Sequence, residues 1–141
     1  MEFVARMEPN GEGGFVVRFD DVPEALTEGK DRDEALANAI DALEVALLGY
    51  MKEGKPLPEP STPVPKGQHR VVVPAQAAAK LALYSAFRAS GLSRVALAKK
   101  LGKDEAEIRR MLDPHYATKL PALDDAMRAL GKRLTVVVEA A

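Results

Sequence analysis

The stretch Ser93–Leu112, SRVALAKKLGKDEAEIRRML, decides how this chain is read. Ser93 can cap a helix from Arg94 to Leu101, because its hydroxyl can accept from the N–H groups that a helix start leaves unpaired. Gly102 breaks that helix after two turns. Asp104, with Glu107 three residues on, is a capping box that opens a second helix, Glu105 to Leu112. Leu97, Ala98, Leu101, Ile108 and Met111 are the apolar positions and would form the joint between the two helices. Ala98 is small, as a close crossing requires, and Gly102 permits the tight turn.

Two short helices joined this way resemble the helix-turn-helix of phage-repressor-like regulators, in which the second helix lies in the major groove. On the second helix the outward positions are Glu105, Ala106, Arg109 and Arg110. Arg109 lies four residues after Glu105, so both point the same way. An arginine can pair bidentately with guanine, and Ala106 could touch a thymine methyl. Lys99, Lys100, Lys103 and Lys119 suit phosphates, which position a protein on the duplex without specifying sequence. The competing interpretation is an ordinary helical hairpin with a solvated basic face. The spacing of Ala98, Gly102 and Ile108, together with the charge balance, favours DNA binding. Such modules usually bind two half-sites as dimers. The apolar segment Leu134–Glu139, LTVVVE, is expected to be a closing strand. It either pairs with a second copy or pairs within its own domain.

Working back from this segment, the chain becomes helical at Pro74, which fits a first helical position. A helix over Ala75–Ala89 offers Leu81, Tyr84 and Phe87 to a core, and Gly91 ends it. A further helix is expected over Ala122–Leu130. Upstream, Phe3–Met7 and Phe15–Phe19 read as strands joined by Pro9–Gly14, a turn-rich hairpin connection. Phe15, Val17 and Phe19 share one face. A long helix follows, about Asp33 to Lys52, with Leu36, Ile40, Leu43 and Leu47 as its apolar stripe and Asp31 as its N-cap. Gly54 can close it. Arg70–Val73 is another short strand.

Between these halves lies Lys55–Lys66, KPLPEPSTPVPK, which holds five of the ten prolines. It should be extended, either as a linker or pinned along the first domain. Charge changes sign at the same place. Residues 1–67 carry 7 Lys and Arg against 14 Asp and Glu, a net of −7, whereas residues 68–141 carry 13 against 7, a net of +6. Opposed halves suggest two domains, 1–67 and 68–141, with different partners. The basic half should attract phosphate, and the acidic half should repel it and attract a basic protein. With no cysteine, disulfides, thiolate zinc sites and cysteine nucleophiles are excluded. No signal peptide is visible, and no apolar run nears the roughly 18 residues that span a bilayer, so a cytoplasmic location and no membrane partner are expected.

Nearly the whole chain resembles the HicB family of antitoxins in its helix-turn-helix version. The first half carries Gly13-Gly14-Phe15-Val16-Val17, then Phe19-Asp20-Asp21-Val22-Pro23. These are followed by Thr27-Glu28-Gly29, Asp33-Glu34-Ala35 and Pro58-Glu59-Pro60-Ser61. The second half carries Leu130-Gly131-Lys132 and Leu134. The family usually has a glycine in the turn after its Asp-x-Pro segment, where this chain reads Pro23-Glu24-Ala25-Leu26. The resemblance implies an α+β chain. A small N-terminal partial ribonuclease-H-like α/β domain precedes a mainly helical C-terminal helix-turn-helix domain ending in a strand. It implies that the first domain binds and blocks a HicA-type toxin, an RNA-cleaving protein, and that the second binds the operator of their operon. The charge split fits this, because a domain of net −7 can steer onto an RNA-gripping surface. Asp20, Asp21, Glu24, Glu28 and Asp31, ahead of the long helix, are the candidate toxin contacts. Loop solubility and helix capping are the alternative roles for each.

Two other functions compete. A solitary helix-turn-helix regulator with an N-terminal sensing domain would need a ligand site, yet no Gly-rich phosphate loop is present. A metal-dependent ribonuclease-H-like nuclease would need several carboxylates on metal ions. Asp20 and Asp21 end a strand, but Asp41 and Glu44 lie on the polar face of the long helix, and His69 and His115 are far apart in sequence. No catalytic residue, metal ligand or cofactor is assigned, and the chain is expected not to be an enzyme.

Overall fold

The computed structural model describes all 141 residues. In chain order the elements are β1 (Glu2–Pro9), β2 (Phe15–Arg18), β3 (Leu26–Gly29), α1 (Arg32–Lys52), β4 (His69–Val72), α2 (Ala75–Ser90), α3 (Arg94–Leu101), α4 (Glu105–Met111) and α5 (Leu120–Ala129). The fold class is α+β. The chain forms two compact units, Met1–Ala78 and Ala79–Ala141. No helix is long and apolar enough to cross a membrane.

The first unit is an antiparallel sheet in the order β3-β2-β1-β4. Its first hairpin closes where the sequence demands it. The Asn10 side-chain oxygen accepts from Glu12 N at 2.8 Å and Gly14 N at 3.0 Å, and Gly11 and Gly13 supply φ of 82° and 88°. Register places Phe3 opposite Val71 and Met7 opposite Val17. One sheet face therefore carries Phe3, Ala5, Val17 and Val71, all buried.

Helix α1 lies against β2, β3 and β4. Asp31 caps it, accepting from Glu34 N at 2.8 Å. Its buried row is Ala35, Ala39, Leu43, Leu47 and Met51. Leu43 and Leu47 were expected there, but Leu36 is only half-buried and Ile40 is exposed. The first two turns face the sheet through alanines because β3 comes too close for larger side chains. A Cβ placed on Gly29 would overlap the backbone N and Cα of Ala35.

β3 forms between the strand predicted to end at Phe19 and the helix predicted from Asp33, where the sequence predicts no element. Its sequence, LTEG, has no alternating apolar pattern, and its strand character comes from pairing with β2. The turn before it has no left-handed non-glycine residue. Ala25 N donates to Val22 O at 2.9 Å, so Ala25 closes the bend without a glycine in the Pro23–Leu26 turn.

The Pro-rich segment is pinned rather than free. Asp21 accepts from both the backbone N and the hydroxyl of Ser61, each at 2.8 Å. Pairing of β4 with β1 carries the first unit past this segment, so the compact division falls after Ala78, whereas the charge boundary suggested 67/68. With this division the first unit holds 8 Lys and Arg against 14 Asp and Glu, net −6, and the second 12 against 7, net +5.

In the second unit, Leu83 of α2, Leu97 and Ala98 of α3, Ile108 and Met111 of α4, and Leu123, Ala126 and Met127 of α5 form one core. Pro74 precedes α2 and accepts from Ala78 N at 2.8 Å, so it sits at the N-cap rather than the first helical position. The expected closing strand is absent. Residues 132–141 form neither helix nor strand, Leu134 alone packs on the core, and Val136, Val137 and Val138 are 75, 77 and 92% exposed. Valine propensity cannot make a strand where no neighbouring strand supplies the ladder.

Candidate functional site

The helix pair α3–α4 is built largely by local chemistry. Ser93 caps α3, accepting from Ala96 N at 3.0 Å. Gly102 ends it at φ 64°, with Lys103 N closing onto Ala98 O at 3.0 Å. A Cβ at Gly102 would meet nothing, so the glycine is needed for its backbone conformation and not for space. Asp104 caps α4, accepting from Glu107 N at 2.9 Å. The reciprocal half of the expected capping box is replaced, as the Glu107 carboxylate pairs with Lys103 at 3.3 Å. Leu97, Ala98, Ile108 and Met111 form the buried joint and Leu101 is partly buried beside them, as the spacing requires.

The outward face separates the basic side chains. Lys99, Lys100, Lys119, Arg109 and Arg110 are exposed, and Ala106 is half-buried. Arg109 is held by Glu105 in an i,i+4 ion pair, and Lys103 is neutralised by Glu107. Arg110 has no carboxylate partner, and its guanidinium lies 5.9 Å from the ring centre of Tyr116. Of the basic residues on α4, Arg110 therefore keeps its charge available.

Nothing in the sequence singles out Lys80. This lysine of α2 is only 4% exposed. Its ammonium donates to Asp113 O at 2.6 Å and Arg110 O at 3.4 Å, and lies 5.9 Å from the Tyr116 ring. The positive charge meets the negative end of α4, where the last carbonyls lack helical partners. Burial lowers the Lys80 pKa from its ordinary value, partly offset by attraction to Asp113. An Ala-rich helix gives no sign of which lysine turns inward.

In the first unit, four of the five acidic candidates have internal partners. Asp20 pairs with Arg6 at 2.7 Å, Asp21 holds Ser61, Glu24 accepts from the Tyr50 hydroxyl at 2.8 Å, and Asp31 caps α1. The Glu24 contact raises the Tyr50 pKa. Glu28 projects exposed from β3. A shallow cleft of about 210 Å³ lies beside these residues, lined by Arg6, Arg18, Phe19, Asp20, Pro23, Ala25 and Leu26. Leu26 is 55% exposed there. Asp20 and Asp21 are thus engaged by Arg6 and Ser61 instead of converging with other carboxylates.

Fold and site define a two-unit chain in which an acidic sheet-and-helix unit precedes a helical unit carrying a basic helix pair. Residues 2–82 match the family described as HicB-like antitoxins of bacterial toxin–antitoxin systems. The chain is 39% identical over 138 residues to Antitoxin HicB of Escherichia coli (strain K12), covering 98% of this chain and 99% of that one. It is 40% identical over 137 residues to Antitoxin HicB 2 of Photorhabdus laumondii, covering 97% and 96%. It is 32% identical over 121 residues to Antitoxin HicB of Pseudomonas fluorescens, covering 86% and 83%. The chain belongs to the HicB-like antitoxin family.

Proposed function

We propose that this antitoxin blocks a HicA-type RNA-cleaving toxin through its first unit and represses its own operon through α3–α4, acting as a helix-turn-helix. The observation that carries this is the charge division between two compact units, −6 over residues 1–78 and +5 over residues 79–141. A toxin that grips RNA presents cationic surface, which an acidic unit can approach and cover, while a basic helix pair is attracted to duplex phosphate. Glu28 and the cleft bearing Asp20 and exposed Leu26 are the first places to seek toxin contacts; Asp21, Glu24 and Asp31 act there by holding the surface in shape. On the DNA side, Arg110 reaches base edges with Ala106, joined by Arg109 and Glu105 once their ion pair opens, and Lys99, Lys100 and Lys119 meet phosphates, joined by Lys103 once it leaves Glu107.

The chain works in the cytoplasm as a binding protein, without cofactor or catalysis. It assembles as a homodimer or higher oligomer, with the exposed Val136–Val138 segment as the surface that a second copy covers. A short basic reading frame directly beside the gene is expected, and its absence would favour a solitary regulator. Co-expression with that frame tests the toxin half. The two products should co-purify, and the antitoxin should restore growth; failure of both refutes it. Mobility shift on the duplex upstream of the operon tests the other half. A purified chain that hydrolyses RNA in magnesium, and loses that activity in Asp20→Asn, would instead establish a nuclease.

A further inference from the structure

We propose that Tyr116 and Lys80 are positioning residues that set the Arg110 side chain for DNA contact, an inference that rests on the DNA-binding reading of α4. Three observations converge on this cluster. The Tyr116 ring stands 5.9 Å from both the Arg110 guanidinium and the Lys80 ammonium, within the range in which a ring face attracts a cation. The same ammonium is tied to the backbone carbonyls of Arg110 and Asp113, so one buried group fixes the base of the arginine and the start of the loop that carries the tyrosine. Finally, Arg110 has no acidic neighbour to hold it, unlike Arg109 and Lys103. Loop backbone bonds, Tyr116 N to Asp113 O at 3.2 Å and Thr118 N to Tyr116 O at 3.0 Å, hold the tyrosine in place.

An unrestrained arginine loses side-chain freedom on binding, and a ring that limits its rotamers beforehand reduces that cost. A cation held by a ring also keeps its N–H groups free, whereas one held by a carboxylate must break an ion pair to reach DNA. Tyr116 is itself 46% exposed, so its loss should leave the core intact.

The test uses the full chain and a duplex of its own upstream region, read by fluorescence anisotropy, together with NMR of the Arg110 side chain without DNA. Tyr116→Ala should weaken binding about 3- to 10-fold, the scale of one cation–ring contact. Tyr116→Phe should bind as the wild type does. In an Arg110→Ala background, Tyr116→Ala should add nothing, because positioning has no object. The Arg110 side-chain protons should carry a ring-current shift that Tyr116→Ala removes and Tyr116→Phe keeps. Lys80→Met should diminish that shift and weaken binding, and Lys80→Arg should restore part of both. Additive losses in the double variant, or an unchanged affinity in Tyr116→Ala, overturn the inference while DNA binding stands. A shift that behaves as expected in a chain with no affinity for the duplex overturns the DNA role of α4, and this inference with it.

Discussion

Arg109 and Arg110 are neighbours of the same type, yet their surroundings divide them. Glu105 occupies the first, while a ring faces the second. Arg110→Ala is expected to weaken operator binding by about 1–3 kcal/mol, the worth of a guanine contact, and Arg109→Ala by less. Anisotropy titrations of both variants check the order, and a larger loss for Arg109→Ala would reverse it. Lys80 makes a prediction about pH. Its folded-state pKa lies below the ordinary 10.5, so over the interval between the two the unfolded chain holds more protons. The unfolding free energy should therefore rise with pH across that interval, and Lys80→Met should lack this rise. Urea titrations of both proteins from neutral pH to pH 10.5 would show it; a constant difference between them excludes it. Capping residues were legible in sequence, since Asp31, Ser93 and Asp104 each act on an N–H three residues away. Lys80 was not, because its carbonyl partners lie 30 and 33 residues further on.

Elements follow the same division between local and distant causes. α3 and α4 were readable from caps, one glycine and a short apolar pattern. Asp104→Ala should destabilise the second unit by about 1 kcal/mol, seen as a lower thermal midpoint. β3 was not readable, because its strand character depends on β2. The C-terminal valines show the converse, with strand-forming residues that find no partner in their own unit. The buried row of α1 begins on alanines because Gly29 brings β3 against it. Gly29→Ala should therefore cost about 1–3 kcal/mol of overpacking. Denaturant unfolding would measure this, and an unchanged midpoint would mean that β3 can move away freely.

On the scale of the whole molecule, acidic and basic residues divide between two compact units. Because β4 completes the first sheet, residues 1–78 should fold alone, bind the toxin and ignore DNA. Residues 1–67 lack the strand that pairs with Glu2–Ala5 and should not fold stably. Circular dichroism and toxin co-purification of the two fragments check this, and equal behaviour would remove β4 from the folding unit. Replacing Val136 and Val137 by aspartate should lower the oligomer mass in light scattering and leave each unit folded. Sequence by itself determined the charge division, the capped starts of α1, α3 and α4, the first hairpin and the joint of α3 with α4. Each of these depends on composition or on residues a few positions apart. Tertiary structure alone decided that β3 is a strand, that Ser61 is tied to Asp21 and that alanines of α1 face the sheet. It also decided that a buried lysine closes α4 and that, of two adjacent arginines, Arg110 keeps its charge available. These features rest on contacts between residues far apart in the chain, and such contacts exist only once packing has brought the residues together.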